Sequence, residues 1–108
     1  MILNRDAILA IDDLPREEVQ IPEWKGSVFV RALTGGERDQ LERMTTTDMS
    51  RAKMVALCAV DENGQRLFSE KDVEHLTAKN GRALEKIVHA AMRFNAISDE
   101  GIKDAGNV

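Results

Sequence analysis

The chain has 108 residues, room for one domain at about one per 100–200 residues and enough to bury a core without covalent staples. Fifteen basic against nineteen acidic residues leave a net charge of −4. That balance argues against a face that neutralises nucleic-acid phosphates and against electrostatic attachment to an anionic membrane. The one cysteine excludes an internal disulfide and any multi-cysteine zinc site, and with three Phe, one Trp and no Tyr the core must be aliphatic.

The longest apolar runs, Ala7–Ile11 and Met54–Val60, fall far short of the about 20 residues a spanning helix needs. The opening Met-Ile-Leu-Asn-Arg-Asp has an acid where a signal peptide wants a basic flank and a long apolar stretch. The expectation is a chain that acts in the cytoplasm.

Residues 1–13 predict a short helix filled by Ala7–Ile11, with Asn4 or Asp6 able to cap it and Asp12-Asp13-Leu14-Pro15 to end it. Two turns at most need tertiary support. The period then changes. Val19 and Ile21 alternate with Gln20 and Pro22, and Val28, Val30 and Ala32 with Phe29 and Arg31, around Glu23-Trp24-Lys25-Gly26. This predicts a β-hairpin over about 17–33, with Gly26 free to take positive φ and Pro22 at an edge strand or a strand's end.

Thr34-Gly35-Gly36-Glu37 has the spacing of a capping box and opens a helix through Arg38, Leu41 and Met44, stopping near Thr45–Thr47. Asp48 is the expected cap of a second helix from Met49 to Val60, apolar over its last two turns and therefore central. Asp61-Glu62-Asn63-Gly64 stops it; the alternative is a second hairpin over 57–68 around Asn63-Gly64. Ser69, three residues before Asp72, opens a helix to about Lys79, and Asn80-Gly81 breaks it. The last helix, about Arg82 to Ala96, carries the clearest stripe: Leu84, Ile87, Val88, Ala91 and Met92. Ser98–Val108 reads as a flexible polar tail. The expected architecture is mainly α within the α+β class. It has four to five short helices over about 35–96 and one N-terminal β-hairpin, in one domain over residues 1–97.

No residues assemble into an evident catalytic, cofactor or metal site. His75 and His89 fall on different predicted helices, and Cys58 lies in Met-Val-Ala-Leu-Cys-Ala-Val, where a cysteine behaves as a small hydrophobe. Asp61-Glu62-Asn63-Gly64 fails the calcium-loop pattern, and Gly35-Gly36 lacks the lysine of a phosphate loop. Trp24 at a hairpin tip is either folded back on the helices or a binding anchor. Met44 and Met49 flank the threonine-rich break, where pliable side chains suit a variable partner. Composition and pattern thus lead to a binding or assembly protein.

Three segments in collinear order carry a resemblance: Pro22-Glu23-Trp24, Leu33-Thr34-Gly35-Gly36-Glu37-Arg38-Asp39 and Val60-Asp61-Glu62-Asn63-Gly64-Gln65-Arg66-Leu67-Phe68. With Ile8–Pro15 ahead of them and two closing helices behind, residues 7–97 resemble the tail assembly chaperones of long-tailed bacteriophages and prophages. The resemblance implies a non-enzymatic protein without cofactors. Such a protein binds the tape-measure protein, keeps it soluble, helps recruit tail-tube subunits and is absent from the finished tail. It also implies action in multiple copies, hence self-association, and in many phages a frameshifted longer product that contacts the tube protein. An aliphatic groove would cover the long apolar stripes of a tape measure, and Trp24, Phe29, Met44 and Met49 are the expected partner contacts. The rival reading is a small regulator that binds DNA or another protein, with the helices either side of Asn80-Gly81 as a loose helix-turn-helix. A third, a Cys58 enzyme, requires an accessible thiol.

Overall fold

The computed structural model describes residues 1–43 and 50–95. Met44, Met49, Asp48, the threonine run and the tail over 98–108 lie outside the described residues. In chain order the elements are α1 (Arg5–Ala10), β1 (Arg16–Ile21), β2 (Gly26–Arg31), α2 (Gly35–Arg43), α3 (Arg51–Cys58), β3 (Ala59–Val60), α4 (Val73–Thr77) and α5 (Gly81–Phe94). Two 3-10 turns, Pro22–Trp24 and Glu70–Asp72, punctuate them. This is the expected mainly helical α+β architecture with an N-terminal hairpin.

The hairpin forms in the predicted place, with Val19 opposite Val28 and Glu17 opposite Val30. Pro22 ends β1 and opens the 3-10 turn, whose missing donor costs nothing there. The positive φ at the turn falls on Lys25, at 55°, and not on Gly26 as expected. The 3-10 turn closes through the Lys25 N–H, which donates to the Pro22 carbonyl at 3.1 Å, and that closure sets the left-handed position one residue early.

The apolar run Met54–Val60 divides between two structures. It is helical through Cys58, after which Ala59 and Val60 leave the helix and pair with β2, Phe29 opposite Val60 and Val30 opposite Ala59. The expected helix to Val60 is therefore two residues too long, and the sheet has three strands in the order β1-β2-β3. Asp61–Gly64 then turns with Gly64 at φ 82°, and Arg66 bridges back to Val60. The helix and the Asn63-Gly64 hairpin, posed as alternatives, both occur in sequence. Ser50 caps α3, its Oγ accepting the Lys53 N–H at 3.1 Å, in place of the Asp48 expected for that role.

The other caps follow the residue chemistry. Asn4 accepts the Ala7 N–H at 2.8 Å. Thr34 and Glu37 exchange side-chain bonds, Glu37 N–H to Thr34 Oγ1 at 3.1 Å and Thr34 N–H to Glu37 Oε1 at 2.9 Å. The Ser69 N–H donates to Asp72 at 2.9 Å. Asn80 accepts from both Arg82 and Ala83, and α5 begins there.

One sheet face carries Val19, Ile21, Val28, Val30 and Ala59 and packs on α5, whose Ala83, Leu84, Ile87, Ala90 and Ala91 are buried. α3 lies beside α5 and supplies six more buried residues, Ala52 and Met54–Cys58. The core is aliphatic, as the composition required. α1 stands apart from it and buries no residue.

Candidate partner-binding surface

The sheet's second face carries Arg16, Glu18, Gln20, Ser27, Phe29 and Arg31, by alternation with the first. Glu18 accepts from the Ser27 hydroxyl at 2.8 Å, so the open half of this face is a polar surface. Phe29 is half-buried, with the Arg16 guanidinium 5.4 Å above its ring. Trp24 is half-buried as well and packs against the core from the hairpin tip. The tip is held to α5 by Lys86, which donates to both Glu23 carboxylate oxygens at 2.7 and 2.8 Å. That contact holds the Glu23 carboxyl below its ordinary value. Trp24 is thus folded back on the helices with part of its ring in solvent. Of the four expected contacts, Trp24 and Phe29 lie on separate parts of the hairpin, and Met44 and Met49 lie outside the described residues.

Beneath Phe29 the same face closes over a charged joint that periodicity did not reveal. Arg31 is 7% exposed and donates to Glu37 at 2.6 Å. The Arg31 Nη2 also reaches the Leu57 carbonyl at 3.4 Å, and Arg66 Nε reaches the Ala56 carbonyl at 3.1 Å. α3 has no basic residue in its own last turn, so two arginines from elsewhere supply the positive charge its terminal carbonyls favour. Glu37 therefore caps α2 with one oxygen and pairs Arg31 with the other. Arg31 Nε has no hydrogen-bond partner among the described residues. The one sequence signal was Thr34-Gly35-Gly36-Glu37, which located Glu37 without its partner.

Cys58 sits at this joint, fully buried, with its Sγ 3.8 Å from the Met54 sulfur. Burial, and then the nearby Glu37 charge, push its thiol up to about 12, so it is held neutral and shielded. The thiol of a nucleophilic enzyme needs the opposite environment. His75 and His89 are both exposed. Among the described residues no cluster of three or more His, Cys, Asp or Glu side chains is placed to hold a metal, and no helix is long and apolar enough to cross a membrane.

Two open depressions of about 410 Å³ each mark the body. One, between β1 and α5, is lined by Val19, Gln20, Lys86, His89, Ala90 and Arg93. The other, between α3 and α4, is lined by Lys53, Ala56, Leu57, Arg66, Val73 and Glu74. Both are small and edged by charge, unlike the aliphatic groove expected. A helix about 10–12 Å across would rest on either without entering it. The large apolar side chains in solvent are elsewhere. Met1, Ile2, Leu3, Ile8, Leu9 and Ile11 are all exposed, and Leu67 is the one such residue outside this segment.

The basic residues of α5 are engaged. Lys86 holds Glu23 and Arg93 holds Glu17 at 3.2 Å, while the helix's apolar face is buried in the core. A recognition helix needs a free basic face, so this arrangement gives the helix-turn-helix reading no support.

A hairpin widened by a two-residue third strand, backed on one face by a closing helix with a central helix beside it, defines the fold of a tail assembly chaperone. The structure of the bacteriophage HK97 tail assembly chaperone superposes with a TM-score of 0.65 over 82% of this chain and 88% of that one, at 17% sequence identity. The resemblance read from the three collinear segments therefore extends to the fold. No protein-family model matches the chain, and no curated protein does.

Proposed function

We propose that this chain is a non-catalytic phage tail assembly chaperone. It binds the tape-measure protein, keeps it soluble in the host cytoplasm, helps bring tail-tube subunits to it and leaves before the virion is complete. The observation that carries the reading is the likeness in fold to the HK97 chaperone across most of both chains. The chemistry of the surface supports it. A shielded thiol and separated histidines supply no nucleophile–base pair. Exposed apolar side chains beside a net charge of −4 suit a protein that covers apolar stripes and lends them solubility. In this reading Trp24, Phe29, Met44 and Met49 contribute partner contacts.

The test is co-expression with the tape-measure protein of the same genome. The expected result is a tape measure that stays soluble and co-purifies with this chain, and that is insoluble without it. A tape measure that aggregates equally in both cases, with this chain folded and unbound, overturns the proposal.

A further inference from the structure

We infer that the arm formed by residues 1–14 is the element that captures the partner, and that its target is an apolar helical stripe bordered by lysine or arginine. The inference rests on the chaperone reading and adds where on this chain capture occurs and which charge the partner carries.

Of the seven large apolar side chains exposed among the described residues, six belong to this arm. Its helix is capped by Asn4 yet buries nothing. Six residues make a marginal helix in water without packing, so the arm is an apolar segment that gains order by docking elsewhere. Its root is fixed. The Ala32 N–H donates to the Pro15 carbonyl at 2.9 Å, and Leu14 is half-buried. The apolar residues are therefore held out from a rigid sheet edge.

Charge selects the occupant. Asp6 is taken by Arg5 at 2.8 Å, whereas Asp12 and Asp13, directly after Ile11, are exposed and make no ion pair among the described residues. A second copy of this chain, itself at −4, meets that acidic border with like charge. An anionic lipid surface does so too. A helix with an apolar stripe and a basic border satisfies both the side chains and the aspartates. The arm root and Trp24 lie at opposite ends of β1, about 17 Å apart at 3.4 Å per residue, so the two patches are separable by mutation.

The probe is a fluorescently labelled 21-residue peptide of three Leu/Lys heptads, compared with the same peptide carrying Glu for Lys. Binding to the full chain is read by anisotropy. The wild type is expected to bind the Lys peptide at least about tenfold more tightly than the Glu peptide, and Ile8→Ser/Leu9→Ser/Ile11→Ser to lose at least about tenfold. Asp12→Lys/Asp13→Lys is expected to reverse the peptide preference. The thermal midpoint of the triple variant should stay within about 2 °C of wild type, because no buried residue changes. A clearly lower midpoint shows the arm packed on its own body and overturns the inference. Equal peptide binding by wild type and triple variant overturns it, as does a wild type that binds neither peptide. An oligomer that the triple variant dissociates overturns it by assigning the arm to a second copy. Co-expression separates the two claims. Tape-measure solubility that survives the triple variant sinks the arm alone, whereas none with the wild type sinks the chaperone reading.

Discussion

α5 and α1 begin alike. Each is capped by an asparagine side chain that accepts backbone N–H groups of the first turn, and each is rich in aliphatic residues. α5 runs 14 residues and buries five of them against the sheet and α3, while α1 runs six and buries none. Local chemistry starts both helices; stripe length decides which one finds a place in the core. Apolar positions at i, i+3, i+4 and i+7 over four turns make a face wide enough to cover a sheet. The cluster Ile8, Leu9 and Ile11 wraps around its helix end and presents no such face. The stable body and the exposed arm are thus two uses of one residue class, and the predictions that follow probe how sharply they differ.

The largest effect is expected at the charged joint of the body. Glu37→Gln leaves Arg31 buried without its counter-charge and weakens the cap of α2 as well. Breaking a buried pair from one side typically costs about 3–5 kcal/mol, and denaturant unfolding measures it. Arg31→Met combined with Glu37→Gln should recover much of the loss, since the uncompensated charge is then gone. A Glu37→Gln protein as stable as wild type shows that solvent reaches Arg31 and that the joint is not closed.

Next is the direct contrast between the two helices. Ile87 is fully buried on α5, and Ile87→Ala should cost about 2–5 kcal/mol. Ile8→Ala, at 53% exposure on α1, should change stability by about 0.5 kcal/mol or less. Comparable losses from the two substitutions remove the distinction between body and arm.

What the sequence disclosed divides along the same line. Features set by a few neighbouring residues were legible: the hairpin, the Thr34–Glu37 box, the Asn80 break and the α5 stripe. Features set by distant partners were not. Nothing local in Leu57-Cys58-Ala59-Val60 says that the helix ends at Cys58; the pairing of Phe29 with Val60 decides it, across some thirty residues of chain. Arg31 alternates like a solvent-facing strand residue and is buried because Glu37 and the α3 carbonyls meet it there. Asn95 is another such case. Its side chain accepts the Leu33 N–H at 2.8 Å and donates to the Ala91 carbonyl at 2.9 Å, tying the end of α5 to the strand–helix junction. For the candidate site, the sequence flagged Trp24 as either packed or exposed, and the fold makes it partly both. It treated residues 1–13 as a helix in need of support without showing that its own body supplies none.

A smaller effect tests how tightly the body is closed around Cys58. The thiol is neutral and shielded, so a thiol reagent at about pH 8 should react at least about a hundredfold more slowly with the native protein than with the unfolded one. The same burial sets a pH dependence. A thiol raised from 9.0 to about 12 in the fold contributes its full share of stability below 9.0 and loses it as pH rises toward 12. Cys58→Ala should flatten that alkaline decline. Rapid native labelling shows instead that α3 opens locally and returns Cys58 to consideration as a reactive group.

The smallest effect belongs to the hairpin tip, where body meets solvent. Lys86 holds the Glu23 carboxyl below its ordinary 4.5, so the folded state favours the charged form. The stabilisation is therefore in place above the ordinary carboxylate range and is lost as pH falls through the lowered folded value. The pair is solvent-exposed and screened, so Lys86→Ala should lower the thermal midpoint by about 2 °C or less near neutral pH. Acid should close the gap between variant and wild type, because protonated Glu23 no longer distinguishes them. A gap that persists at about pH 3 points to a different cause, the aliphatic stem of Lys86 packing on the hairpin tip. The fold-back of Trp24 would then rest on apolar contact, and charge would be incidental to it.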